Sequence, residues 1–573
     1  MSQRGYWGIG IIAIIVASGV GYAIAKAQDV PPKPTTNIGP QSFTKYAMNS
    51  HNNAVYETAN VKNWTANWTF TAKEPLQQAS IANGIVYISG DGGNLAYRHN
   101  DLIYAVDAQT GQKLWTTQLN NMSMTTPVVA HGMVFVGSGT QGFNPKEQAL
   151  VNHLHTRHII RGTGPNAIYA LNSLTGQVIW KYNTPGENMP TFVYHQGTLY
   201  VANGNGKVYA FNAKSGTLLW TVNIGSYVSM SSPVLDGHFL YISGAHPYAL
   251  YAVNIQTHRI QWKTPVPAVF AGSDDCSLAL WHHRLFLEGT AGTWHHPRSV
   301  LFAFDSQDGR LLWKRRLGGG LLPTNIEVSA PVVDHGTVFI GSPITHKEYA
   351  FNARTGHLDW SFKAAAPIAE SPAIFDHHLF VGDTMGMFYV LNSTTGKEIA
   401  ARYLAGAFAA DYPLIVGKTL YQPNQNGQML AIPLTTLMDS NKNAFVSLAV
   451  PSGALGADIL QGEKIFMSPA LSSRALTCNS CHVDQGTTTT YARGHIIPTL
   501  IGAASAFPLV RNGHVRTLDG QINHCIAAMG GNRLSSSSRT MKYLNLYLHW
   551  LSSGFSDHLT PSTAHQTITG GCN

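Results

Sequence analysis

Two cysteines three positions apart with a histidine directly after the second, Cys478-Asn479-Ser480-Cys481-His482, are the residues best spaced to do chemistry in this 573-residue chain. Each thiol can add to a vinyl group of one haem, and the adjoining histidine then reaches the iron as its proximal ligand. Zinc bound by the same residue types needs a second ligand pair. The sequence has no second C-x-x-C and only three other cysteines, Cys276, Cys525 and Cys572. The motif predicts one covalently held haem c on Cys478, Cys481 and His482, and with it a role in moving electrons. Two side chains compete for the far side of the iron: Met529, the ordinary ligand of electron carriers, and Cys525, one helical turn before it. A thiolate there is a strong donor that lowers the iron potential and can touch a sulfur compound directly.

The segment from Arg511 to Cys525 (RNGHVRTLDGQINHC) resembles the signature of thiosulfate dehydrogenases and SoxA cytochromes. That pattern is R-x-G-x-V-x-T-L, then Q/R-I-N-x-C, then a methionine and glycines. The resemblance implies that Cys525 is the distal haem ligand and that Arg511 binds the substrate anion, since a guanidinium offers several N–H donors to sulfonate oxygens. It covers one cytochrome domain of about 90 residues, and the single C-x-x-C-H departs from the two haems of the thiosulfate dehydrogenases. The elements that would position these groups are a helix opening at Gly462-Glu463-Lys464-Ile465-Phe466 and a closing helix with Met541, Leu544, Leu548 and Leu551 on one face.

Upstream, the chain repeats the unit Tyr-Ala-x-Asn/Asp-x-x-Thr-Gly-x-x-x-Trp. Copies end at Trp115, Trp180, Trp220, Trp262, Trp313 and Trp360, and a seventh, ending at Ala400, has lost its tryptophan. Each copy reads as strand, tight turn, strand, with a further strand and turn ahead of it, so four strands make one propeller blade. Trp68, ahead of the first complete copy, predicts that an early strand closes the ring with the last strands near Tyr421 to Pro433. The expected fold is an all-β eight-bladed propeller, seven blades being the second count, followed by a small all-α cytochrome c domain.

The repeat resembles the tryptophan-docking motif of pyrroloquinoline quinone (PQQ) dehydrogenases, a family that also includes an outer-membrane assembly lipoprotein binding no quinone. The adjacent cysteine pair of the soluble quinone-dependent alcohol dehydrogenases is missing, and no calcium-ligand constellation stands out. The resemblance therefore leaves PQQ open but unfavoured as a cofactor. Aligning the blades on Pro127, Pro233, Pro331, Pro372 and Pro413 puts Thr125, Ser231, Cys276, Ser329, Glu370 and Asp411 at matching positions, with Asp274, Asp275 and Glu327 nearby. These side chains are expected to ring an axial funnel, where crowded carboxylates raise one another's pKa and suit acid catalysis. The architecture also resembles that of acid-active tetrathionate hydrolases, which use an aspartate; that resemblance points to Asp275, with Asp274 as its neighbour.

The expected organisation is a signal peptide or membrane anchor over 1–27, the propeller over 43–435, a linker over 436–455, the cytochrome domain over 456–556 and a Ser/Thr-rich tail over 557–573. Arg4, the apolar run Trp7 to Ile24 and Ala25-Lys26-Ala27 have the form of an export signal, which predicts a periplasmic protein, held at the membrane only if that segment is uncleaved. Net charge is +8 with 26 histidines, while charged residues are only 12% of the chain. Few carboxylates means few ion pairs to lose on acidification. The basic residues form no long run, which excludes nucleic acid as a partner.

Together these readings predict a periplasmic c-type haem oxidoreductase of inorganic sulfur compounds, thiosulfate or tetrathionate, passing electrons to an acceptor cytochrome or other redox protein. The alternatives are a PQQ-dependent quinohaemoprotein alcohol dehydrogenase and a non-enzymatic propeller docking module with a tethered electron carrier.

Overall fold

A computed structural model describes residues 52, 55–56, 64–90, 101–152, 159–320, 327–364, 366–384, 386–404, 407–408, 412–438, 454–480, 490–492, 495–497, 500, 504, 509–511 and 514–551. The leader over 1–27 and the tail over 557–573 lie outside these residues, as do Asp411, Cys481, His482 and Cys572.

Eight antiparallel sheets form the propeller. Blade four shows the plan: Val234–Asp236, Phe239–Gly244, Ala249–Asn254 and Arg259–Pro265 run in order from the short innermost strand to the outermost. The middle strands are buried except at one end residue each because both faces pack on neighbouring blades, and the outer strand is exposed at its start and alternates between half-buried and exposed after it. Blade eight joins Leu414–Val416, Thr419–Pro423 and Gln428–Pro433 to the early strand Trp68–Thr71, which pairs antiparallel with Gln428–Pro433. The ring therefore closes between the two ends of the repeat, as Trp68 predicted.

The repeat's tryptophans lock blade to blade. Trp180 Nε1 donates to the Ala213 carbonyl at 2.8 Å, and its ring lies against Gly216 in the next blade's Thr/Ser-Gly turn. Gly216 has φ +71° and a Cβ there would stand 2.6 Å from the indole, so both the backbone conformation and the contact require glycine. Where the turn carries His258 instead, its ring stacks on Trp220 with centroids 4.7 Å apart. The lost tryptophan at Ala400 has a topological cause. Blade eight takes its outer strand from the chain's beginning, so it has no turn between its last two strands on which blade seven could dock. At the closing seam between blades eight and one, Tyr421 OH accepts from Trp64 Nε1 and donates to the Ala108 carbonyl, both at 2.7 Å.

One strand falls outside the repeat. Val55–Tyr56 pairs in parallel with Ala373–Phe375, the innermost strand of blade seven, and Asn52 Nδ2 donates to the Ser232 carbonyl ahead of blade four's innermost strand. The axial edge of blade seven is thereby covered by the chain's own backbone.

After the propeller, the described residues include the helices Ala454–Phe466, Leu518–Ala528 and Arg539–Leu551. Met541, Leu544, Leu548 and Leu551 are buried as expected, together with Tyr547, and the Phe466 and Tyr547 rings meet with centroids 5.5 Å apart. Gly462 falls inside the first helix, which begins eight residues earlier than its expected start; a Cβ there would stand 2.7 Å from Tyr547 Cβ, so the glycine lets the helices cross closely. The region is not all-α. Thr490–Ala492 pairs with His495–Ile497, and Leu509–Arg511 with His514–Arg516. The sequence already carried Asn512-Gly513, a dipeptide favoured in two-residue hairpin loops, between the second pair.

No helix among the described residues is long and apolar enough to cross a membrane.

Candidate active site

Within a blade, the loop into the innermost strand and the loop between the second and third strands leave from the same end of the sheet. On that face, loops of blades two to five bring together Arg161, Glu187, Tyr227, Ser229, Tyr248, Asp274 and Asp275. Arg161 ends a long insertion between Met133–Thr140 and Thr163–Asn172, an insertion that also contains the helix Pro145–Asn152. Its guanidinium bonds the fully buried Glu187 carboxylate, while its backbone N–H donates to the Gly204 carbonyl at 2.8 Å and its carbonyl accepts from Glu187 N at 3.1 Å. Both the charge and the chain around it are thus held in place.

Asp274 and Asp275 precede Ala279–Trp281 in blade five. The Asp274 carbonyl accepts from Met230 N at 3.1 Å and Ser231 N at 2.9 Å, tying this loop to the one entering blade four. Asp274 is almost fully buried, whereas Asp275 keeps part of its surface open. Burial pushes the Asp274 carboxyl well above the usual carboxylate range, the neighbouring Asp275 charge adds to this, and Arg161 opposes it. Burial also raises Asp275, but there Arg161 and the Ser229 hydroxyl both favour the charged form. Burial and the Asp274 charge drive the Tyr227 and Tyr248 phenols upward, so both stay neutral. The Ser273 hydroxyl is buried without a formed hydrogen bond. Buried polar atoms in that condition are what a bound polar ligand or water satisfies.

The funnel expectation needs correction at the proline-aligned positions. Thr125, Ser231, Cys276, Ser329 and Glu370 are all fully buried, turned into the seams between blades. Thr125 Oγ1 donates to the Asn188 carbonyl at 2.7 Å, and Cys276 Sγ to the Ser329 carbonyl at 3.5 Å. Two residues before the proline, the chain is already descending between neighbouring sheets. Asp274 and Asp275 lie earlier, where it still crosses the face. Arg161 was missed altogether; the 65-residue spacing from Trp115 to Trp180, against 40–51 elsewhere, was the signal that blade two carries an insertion.

The other predicted residues lie after the propeller. Cys478 opens the single helical turn Cys478–Ser480 and is half-buried. Arg511 ends the strand Leu509–Arg511, with its backbone opposite His514. Cys525 sits half-buried in Leu518–Ala528, within 3.8 Å of Gln521 Nε2, and the buried Met529 caps that helix. Ser472 Oγ donates to the Met529 carbonyl at 2.8 Å and Ser473 Oγ to the Gly530 carbonyl at 2.9 Å. The segment leading into Cys478 is thus stitched to the end of the helix that carries both distal-ligand candidates, an arrangement that fits a haem held between them. Residues 55–56 cover blade seven's axial edge, and no group of three or more His, Cys, Asp or Glu among the described residues is placed to hold a metal ion.

A family model described as outer membrane protein assembly factor BamB matches residues 55–272, 165–345 and 297–475, overlapping as repeats do. The chain belongs to this family of PQQ-like repeat propellers. It is also homologous to tetrathionate hydrolases. The Acidithiobacillus ferrooxidans tetrathionate hydrolase is 29% identical over 457 residues, 72% of this chain and 90% of its own length. That of Acidianus ambivalens is 26% identical over 408 residues, 66% of this chain and 74% of its own. Among solved structures, the quinohemoprotein alcohol dehydrogenase from Comamonas testosteroni matches with TM-score 0.49 and 12% identity over 89% of this chain and 95% of its own.

Proposed function

We propose that this propeller hydrolyses tetrathionate outside the cytoplasm, with Arg161, Asp274 and Asp275 as the working site. The carrying observation is an arginine fixed beside two adjacent, unequally buried aspartates, on a chain homologous to tetrathionate hydrolases along most of its length. Arg161 takes one sulfonate of the dianion through its N–H donors. Asp275, the more open carboxyl and the one favoured in its charged form, accepts a proton from the attacking water. Asp274, held neutral by burial, gives a proton to the departing sulfur. Two such carboxyls, pushed apart by their surroundings, divide acid and base work. In the step written here, water adds to a terminal sulfonate sulfur and the bond to the next sulfur breaks: S4O6²⁻ + H2O → HSO4⁻ + HS3O3⁻. Atoms and charge balance with no external oxidant.

Cys478, Cys481 and His482 would hold a haem c, with Cys525 or Met529 as the further ligand, and the haem would supply one-electron transfer to a partner redox protein. In this reading Arg511 and Cys525 face sulfur oxyanions at a second site. Purified protein incubated with tetrathionate across acid pH should release sulfate, read by ion chromatography, and Asp275→Asn should abolish it. Ethanol-dependent haem reduction only after adding PQQ and calcium, with no sulfate formed, would overturn the proposal in favour of a quinoprotein.

A further inference from the structure

Beside the aspartates, four methionines from three successive blade-entry loops pack on one another. Met122 and Met124 precede blade two, Met189 precedes blade three and Met230 precedes blade four, and together they make an apolar cluster of methionines alone. Met122, Met124 and Met189 are buried, while Met230 is partly open. The cluster touches the proposed site at both ends. Arg161 Nη1 lies 4.0 Å from Met189 Sδ, and Met230 N donates to the Asp274 carbonyl at 3.1 Å.

This is an unusual lining for a site with three charged groups. Leucine fills space as well as methionine; what methionine adds is a polarisable thioether and a chain flexible enough to mould to an irregular partner. The expected partner is soft and weakly hydrated in its middle and anionic at its ends. We propose that Met230, backed by Met122, Met124 and Met189, forms a thioether subsite that seats the divalent-sulfur chain of a polythionate while Arg161 holds a terminal sulfonate. The inference rests on the tetrathionate reading and deepens it by naming what selects sulfur-chain length. A tetrathionate ion places two divalent sulfurs between its sulfonates and a trithionate only one, so the subsite favours the longer ion.

Met230→Leu tests this while nearly conserving volume, a change that cores tolerate. The expected result is a KM for tetrathionate raised about tenfold, a smaller change for trithionate, and a thermal midpoint close to that of the unchanged chain. Equal KM changes for both ions, or none, would overturn the subsite while sulfate release by the unchanged chain upheld the hydrolase reading. A binding measurement separates the two further. Calorimetric titration of Asp275→Asn with tetrathionate, with and without Met230→Leu, reads the subsite even if the chain releases no sulfate. Unweakened binding, or no binding by either variant, refutes the inference.

Discussion

Two groups of carboxyls with raised pKa sit among the described residues of the propeller, and the proposed hydrolysis uses only one. On the loop face, Asp274 and Asp275 stand near Arg161 and the Ser229 hydroxyl, with Asp275 partly open. In blades five to seven, Glu288, Glu348 and Glu370 are sealed between sheets. The Glu288 carboxylate accepts from Ser299 and that of Glu370 from Gly382 N and Gln422 Nε2. Burial pushes Glu288 and Glu370 up to about 8, and Glu348 well above the usual range with the help of both neighbours' charges. Both sets therefore tend to hold protons. What differs is a nearby cation and a route for substrate, so a raised carboxyl pKa alone does not mark an active site.

The sharpest way to break this comparison is to neutralise one acid from each set. Asp275→Asn should lower the rate constant of sulfate release roughly a thousandfold, whereas Glu348→Gln should leave that rate within about twofold. Comparable losses from both would place the chemistry elsewhere. Arg161→Lys keeps the charge beside Glu187 but loses the planar fork, and should raise the KM for tetrathionate by roughly tenfold to a hundredfold.

The sealed acids should show themselves in stability. Their folded pKa values lie above the unfolded value near 4.5, so between there and about pH 8 the unfolded chain binds fewer protons than the folded one. Stability is then full below pH 4.5 and falls as pH rises toward 8. Denaturant midpoints measured across that window should decline by an amount worth several kcal/mol, and Glu288→Gln or Glu370→Gln should flatten the decline. A curve that rises with pH would contradict protonated burial. A smaller effect is expected at the blade seams: Trp180→Phe keeps the ring but loses the bond to the Ala213 carbonyl, costing about 1 kcal/mol in a urea titration.

Legibility followed periodicity. Eight blades and the closure through Trp68 could be read because docking tryptophans and Thr-Gly turns recur at blade spacing. Val55–Tyr56 could not, since two residues carry no alternation and their pairing partner lies more than 300 positions away. Arg161 and the methionines were hidden for a related reason: each sits in a loop, where nothing repeats, and loops meet only when the ring is closed. That Asp274 and Asp275 lie just before the aligned Cys276 could be read, but not that Asp275 keeps part of its surface open while Cys276 is fully buried.

The haem motif, the repeat and the acid-tolerant composition belong to the sequence alone, because covalent spacing and local turn chemistry need no distant partner. Tertiary structure decided which acids face an arginine and which are sealed between sheets. That choice depends on the angle at which each loop leaves its blade, and only the closed ring of eight sets those angles.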